Sequence, residues 1–123
     1  MKALVLLAAL AAPAAAPAQP AVVQVKATGG MRFVPAEVTI PAGGTVEWKN
    51  TAIFPHTVTD DPALAKVAGD AALPEGAEAF DSGKLGFHKT WRRTFTTPGR
   101  YVYFCRPHET HGMVGVVIVQ PAG

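Results

Sequence analysis

Short runs in which apolar and polar residues alternate dominate this chain. In Thr45-Val46-Glu47-Trp48-Lys49, Val46 and Trp48 share one face and the polar residues share the other, as in a strand with one side in a core. The run Tyr101 to Cys105 is apolar or aromatic on both faces, which predicts a central strand. The continuous apolar run Val116 to Val119 predicts a buried partner for it. Further strands are predicted over Ala21 to Ala27, Met31 to Phe33, Glu37 to Ile40, His56 to Thr59, Ala79 to Phe80 and Thr90 to Thr96, with the last run extending from Val114. Turn chemistry separates them: Thr28-Gly29-Gly30, Pro41-Ala42-Gly43-Gly44, Asp81-Ser82-Gly83 and Thr97-Pro98-Gly99. The pattern is that of an all-β sandwich. The exception is Asp60 to Glu78, where Asp61-Pro62 is placed to start a short helix near residues 61–68 that Gly69 would stop.

A chain of 123 residues has room for one domain with one modest core. Its formal net charge of +2, with no stripe of Lys or Arg, gives nucleic acid no footing as a partner. The N-terminus reads as an export signal: Met1-Lys2, then the apolar run Ala3 to Ala12, then the small-residue site Ala16-Pro17-Ala18. The expected organisation is therefore a removed signal peptide over 1–18 and one domain over 19–123, exported to a bacterial periplasm. The apolar run meets Pro13 well short of the roughly 20 residues a membrane-spanning helix needs.

Export sharpens the question posed by the single cysteine, Cys105, which has no internal partner for a disulfide. Taken alone, it would be a buried, inert thiol. Its company points elsewhere: Cys105-Arg106-Pro107-His108-Glu109-Thr110-His111-Gly112-Met113 puts a thiol, two imidazoles and a thioether in one loop between two predicted strands. Two His and one Cys in a trigonal set, with a long weak bond to Met, is the donor set that selects copper for electron transfer. A further imidazole is expected from His56, which follows Phe54-Pro55. A Cys/His-rich loop also suits zinc, and on that reading His111 competes with His108 as the ligand.

The stretches Cys105-xx-His108-xxxx-Met113, Phe54-Pro55-His56, Pro98-Gly99-x-Tyr101-x-Tyr103-x-Cys105 and Phe80-Asp81-Ser82-Gly83 together resemble the plastocyanin and pseudoazurin group of cupredoxins, from about Phe33 to Val119. The resemblance implies a Greek-key β-sandwich and one copper ion held by His56, Cys105, His108 and Met113. It also implies a mobile electron carrier, not an enzyme, acting as a monomer between a redox protein donor and acceptor, with peripheral contact to membrane complexes. Copper delivery without electron transfer is the alternative from another class. Two residues depart from the family's pattern. Thr57 stands where the family often has an Asn that ties the two ligand loops together. Phe104 stands before the cysteine where plant plastocyanins carry Tyr, and no acidic docking cluster accompanies it.

Outside the ligand set, His111 is expected to face solvent beside the site, and His88 is given no role. Trp48 and Trp91 are expected in the core, Arg92 outside, and Arg106, Glu109 and His111 on a polar rim around Phe54, Pro55, Pro107 and Gly112. A nucleophilic Cys105 paired with His108 or His111 lacks an orienting third group or an oxyanion loop.

Overall fold

The computed structural model describes residues 22–122, so the predicted signal peptide lies outside the described residues. Among the described residues, nine strands form two sheets: β1 (Val22–Ala27), β2 (Phe33–Val34), β3 (Glu37–Pro41), β4 (Thr45–Asn50), β5 (Thr59–Asp60), β6 (Phe80–Asp81), β7 (Thr90–Thr94), β8 (Gly99–Phe104) and β9 (Val114–Gln120). One sheet has the order β2-β1-β4-β7 and the other β3-β9-β8-β5-β6. Both are mixed, with β1 parallel to β4 and β3 parallel to β9. The all-β sandwich expected from the alternation is the fold observed.

Alternation decides which side chains meet between the sheets. Val25, Ala27, Val46 and Trp48 from one sheet face Ile40, Tyr101, Tyr103, Val117 and Val119 from the other, all buried. Trp48 stands edge-on to Tyr103 at 5.3 Å between ring centroids, and Tyr103 in turn meets Phe33 at 4.6 Å. Gly115 is directly opposite Tyr103 in the β8–β9 register, and a Cβ there would overlap the Tyr103 ring. The glycine is therefore required by close approach.

On the edge of β8 away from β9, the segment between β5 and β6 continues the pairing that β5 begins, with Ala72 bridging Val102 through reciprocal backbone hydrogen bonds of 3.0 Å. Both faces of β8 are buried, Val102 and Phe104 as well as Tyr101 and Tyr103.

The short helix expected near residues 61–68 does not form. Asp61 makes one turn, its carbonyl accepting the Leu64 amide at 2.9 Å and its carboxylate the Ala63 amide at 3.0 Å. The Lys66 and Val67 amides, which would continue a helix, donate instead to the Glu109 carboxylate. A remote acceptor thus outcompetes the local helical carbonyls. Strand ends also shift: the run predicted from His56 becomes a strand only at Thr59, with His56 in an isolated bridge to Leu85.

Asp60 is fully buried, and among the described residues neither of its carboxylate oxygens has a hydrogen-bond partner. Burial pushes its pKa up to about 8, and the Arg93 charge opposes this without cancelling it. The native state therefore holds a neutral acid where the unfolded chain ionises near the ordinary carboxylate value. Stability is full below that value and falls as pH rises towards about 8. Asp60→Asn is expected to stabilise the fold at pH 8 by on the order of 3 kcal/mol and to flatten the decline, as measured by urea denaturation from pH 4 to 9.

Candidate metal centre

Three of the sequence-predicted ligands meet at one end of the sandwich. Cys105 directly follows β8, and its amide donates to the Met113 carbonyl at 3.0 Å, so the intervening loop closes on itself at its base. Within that loop a 3-10 helix, Arg106–His111, begins with Pro107 in its first turn, where a missing N–H costs nothing. The turn brings the His108 amide to the Cys105 carbonyl at 3.2 Å and His108 Nδ1 to within 3.4 Å of Cys105 Sγ. Gly112, at φ 73°, ends the helix in the left-handed conformation and returns Met113 to the interior, where it is fully buried beside β9.

His56 arrives from the other side. Its backbone exchanges hydrogen bonds of 3.1 and 2.8 Å with Leu85, and its ring is fully buried. Nε2 lies 2.8 Å from the Thr28 carbonyl, which can only accept, so Nε2 carries the proton and Nδ1 presents its lone pair. That Nδ1 is 3.5 Å from Cys105 Sγ.

The two Nδ1 atoms and Sγ all lie within 4.8 Å of one another. A trigonal set of bonds about 2.0–2.3 Å long has edges of roughly 3.5–3.8 Å. The observed Sγ–Nδ1 edges of 3.4 and 3.5 Å therefore suit one first-row ion.

Protonation follows from burial. Both imidazoles have their pKa lowered, chiefly by desolvation, so they stay neutral and able to donate lone pairs. The same desolvation raises the Cys105 thiol, with Thr57 opposing it. A thiolate here needs a cation beside it, and binding a metal would release the proton.

Thr57 supplies the tie between ligand loops that its departure from the family pattern put in question. Its amide donates to Cys105 Sγ at 3.4 Å, and its hydroxyl oxygen accepts the Arg106 amide at 2.9 Å. The loop carrying His56 and the loop carrying Cys105 are thus joined at two points. Asn50, which the sequence reading passed over, holds the first loop from below. Its Nδ2 donates to the Phe54 and Leu85 carbonyls at 2.9 and 2.7 Å, and its Oδ1 accepts the Ala52 amide at 2.7 Å. The signal was available, because Asn50 continues the inward series Val46, Trp48 and is a polar residue at a core position.

Around this centre Phe54 packs edge-on against both His56 and His108, at 5.2 Å in each case. His108 is half-buried, while Pro55, Pro107 and Gly112 are exposed beside it, as the rim reading expected. His111 is exposed, with its ring centroid 6.0 Å from that of His108. Glu109 overturns its assignment to the polar rim: it is buried, because its carboxylate accepts the Lys66 and Val67 amides at 3.0–3.1 Å. Glu109→Ala would leave those amides unpaired and is expected to cost about 1–3 kcal/mol in urea denaturation, with faster amide exchange over the segment between β5 and β6.

A buried thiol, two neutral imidazoles and a thioether at the end of a two-sheet β-sandwich define the class of small cupredoxins. The chain belongs to that class by descent as well: residues 20–120 match the family of copper binding proteins, plastocyanin/azurin family, and copper is its cofactor. The chain is 40% identical over 97 residues to the chloroplastic plastocyanin of Tetradesmus obliquus, an alignment spanning 76% of this chain and 61% of that protein. Among solved structures it resembles the Cu(I) form of an amicyanin mutant, with a TM-score of 0.62, 30% identity, and coverage of 84% of this chain and 85% of that one. It also resembles a Cu-containing nitrite reductase from Thermus scotoductus SA-01, with a TM-score of 0.63 and 30% identity over 85% of this chain, but only 24% of the reductase.

Proposed function

We propose that this chain is a type 1 blue copper protein that carries single electrons, with His56, Cys105, His108 and Met113 as ligands to one copper ion. The observation that carries this reading is the convergence of two Nδ1 atoms on a fully buried Sγ, on supports that leave little room for rearrangement. Bound copper would supply a Cu(II)/Cu(I) couple with donors that suit each state in part. The protein's own contribution is to hold those donors in place. Thr28 fixes the His56 tautomer, Asn50 and Thr57 fix the loops, and the Phe54 ring shields the imidazoles from water. The half-exposed His108 edge gives a partner a short path to the metal.

The plastocyanin likeness supports a carrier over an enzyme, since the reductase match covers a small part of that larger chain. The leader-like start at Met1-Lys2 supports export to the periplasm, and a monomer meeting membrane-bound or soluble redox proteins fits the compact fold. Loading with Cu(II) is expected to give an intense visible band with narrow EPR hyperfine splitting, bleached by ascorbate and restored by ferricyanide with the metal retained. A colourless protein that passes Cu(I) to an acceptor chelator protein would instead establish copper delivery.

A further inference from the structure

The outer face of the four-stranded sheet is built in rows by the strand register. In one row Gln24, Glu47 and Arg92 are cross-strand neighbours, and the charges cancel: Arg92 Nε donates to Glu47 at 2.6 Å and Gln24 Nε2 at 2.9 Å. The next row towards the metal centre holds Lys26 directly opposite Lys49, flanked by Val34 and Thr90. Like charges in direct cross-strand register cost stability. Among the described residues, neither lysine side chain makes a hydrogen bond or an ion pair, although Lys49 lies near enough to Glu47 to help hold its carboxyl low.

This row is tied to the metal centre. Two residues after Lys26, the Thr28 carbonyl accepts His56 Nε2, and the residue after Lys49, Asn50, holds the Phe54 loop. The opposite charge is segregated elsewhere. Apart from the buried Asp60, five of the acidic residues, Asp61, Asp70, Glu75, Glu78 and Asp81, fall in the stretch from Asp61 to Asp81.

We propose that the Lys26–Lys49 row is a docking strip for a redox protein with an acidic surface, orienting it towards the His108 edge. The inference rests on the electron-carrier reading. The unpaired cations steer an anionic partner towards the metal end, an effect that salt screens.

The test uses the copper-loaded mature protein and its Lys26→Gln/Lys49→Gln variant. Oxidation of the Cu(I) form by hexacyanoferrate(III) at low ionic strength is expected to slow about fivefold in the variant, with the difference vanishing at high salt. Oxidation by the cationic tris-phenanthroline cobalt(III) complex should not slow. Independently of copper redox activity, the paramagnetic trianion hexacyanochromate(III) should broaden amide resonances of Lys26 and Lys49 in the wild type and not in the variant. Broadening centred on Lys84 and Arg106, or an unchanged hexacyanoferrate rate in the variant, would overturn the proposal. Lysine-dependent sedimentation with phosphatidylglycerol vesicles would replace the acidic protein with a membrane and overturn it too. If the broadening appears but the copper takes up no electron, the carrier reading fails and the anion-binding strip stands.

Discussion

Cys105→Ala is expected to yield a folded, colourless protein whose copper affinity is reduced by more than about 100-fold, a loss beyond that produced by removing a supporting residue. The thiol is the shared vertex of the site, since both Nδ1 atoms lie nearest to it and the Thr57 amide donates to it. Removing it leaves two imidazoles and a thioether that cannot supply a thiolate-to-copper transition, so the visible band disappears along with the narrow hyperfine splitting. The fold should persist, because the alanine methyl replaces a small side chain and the backbone bond from Cys105 to Met113 does not involve sulfur. Visible and EPR spectra beside a chelator competition would check both halves. A variant that kept the band would place the chromophore elsewhere and refute the ligand assignment.

Trp48→Ala is expected to destabilise the copper-free fold by about 3–5 kcal/mol, the cost of a large cavity in a packed core. Trp48 is fully buried and joins the aromatic layers, standing 5.3 Å from Tyr103, 5.6 Å from Trp91 and 6.2 Å from Phe95. The loss is also expected to reach the site, because Asn50, two residues along β4, anchors the loop that carries His56. In urea the midpoint should fall sharply, and melting should drop by about 15 °C or more. Trp48→Phe, which keeps a ring in the layer, should recover most of the loss. If Trp48→Ala lowered the melting temperature by only a degree or two, Trp48 would not be the keystone assigned here.

Both expectations rest on features that differ in how openly the sequence displays them. The cluster of His56, Cys105 and His108 was legible because metal chemistry restricts donors to few side-chain types, and Cys105 and His108 sit in one loop where spacing alone brings them close. The core side of β4 was legible because a strand's period of two sorts Val46 and Trp48 from Glu47 and Lys49 without reference to anything distant. The central position of β8 was legible from apolar residues on both of its faces.

The tertiary structure decided what depends on partners far apart in the chain. A helix near residues 61–68 is reasonable from local propensity, yet the Lys66 and Val67 amides are taken by Glu109, more than forty positions away. For the same reason Glu109 is a buried clamp and not a rim charge. Thr57 looked like a loss beside the family's Asn, but it lies where its amide meets Cys105 Sγ and its hydroxyl meets the Arg106 amide, so a shorter side chain makes the tie. The pairing of Lys26 with Lys49 follows from a parallel register that no local pattern specifies. By itself the sequence determined the all-β class, the alternating core and the chemistry of the metal ligands, because those follow from side-chain type and local period. Only the tertiary structure decided which distant backbone amides and charges would meet, because hydrogen-bond and ion partners are set by the packing of one sheet on the other.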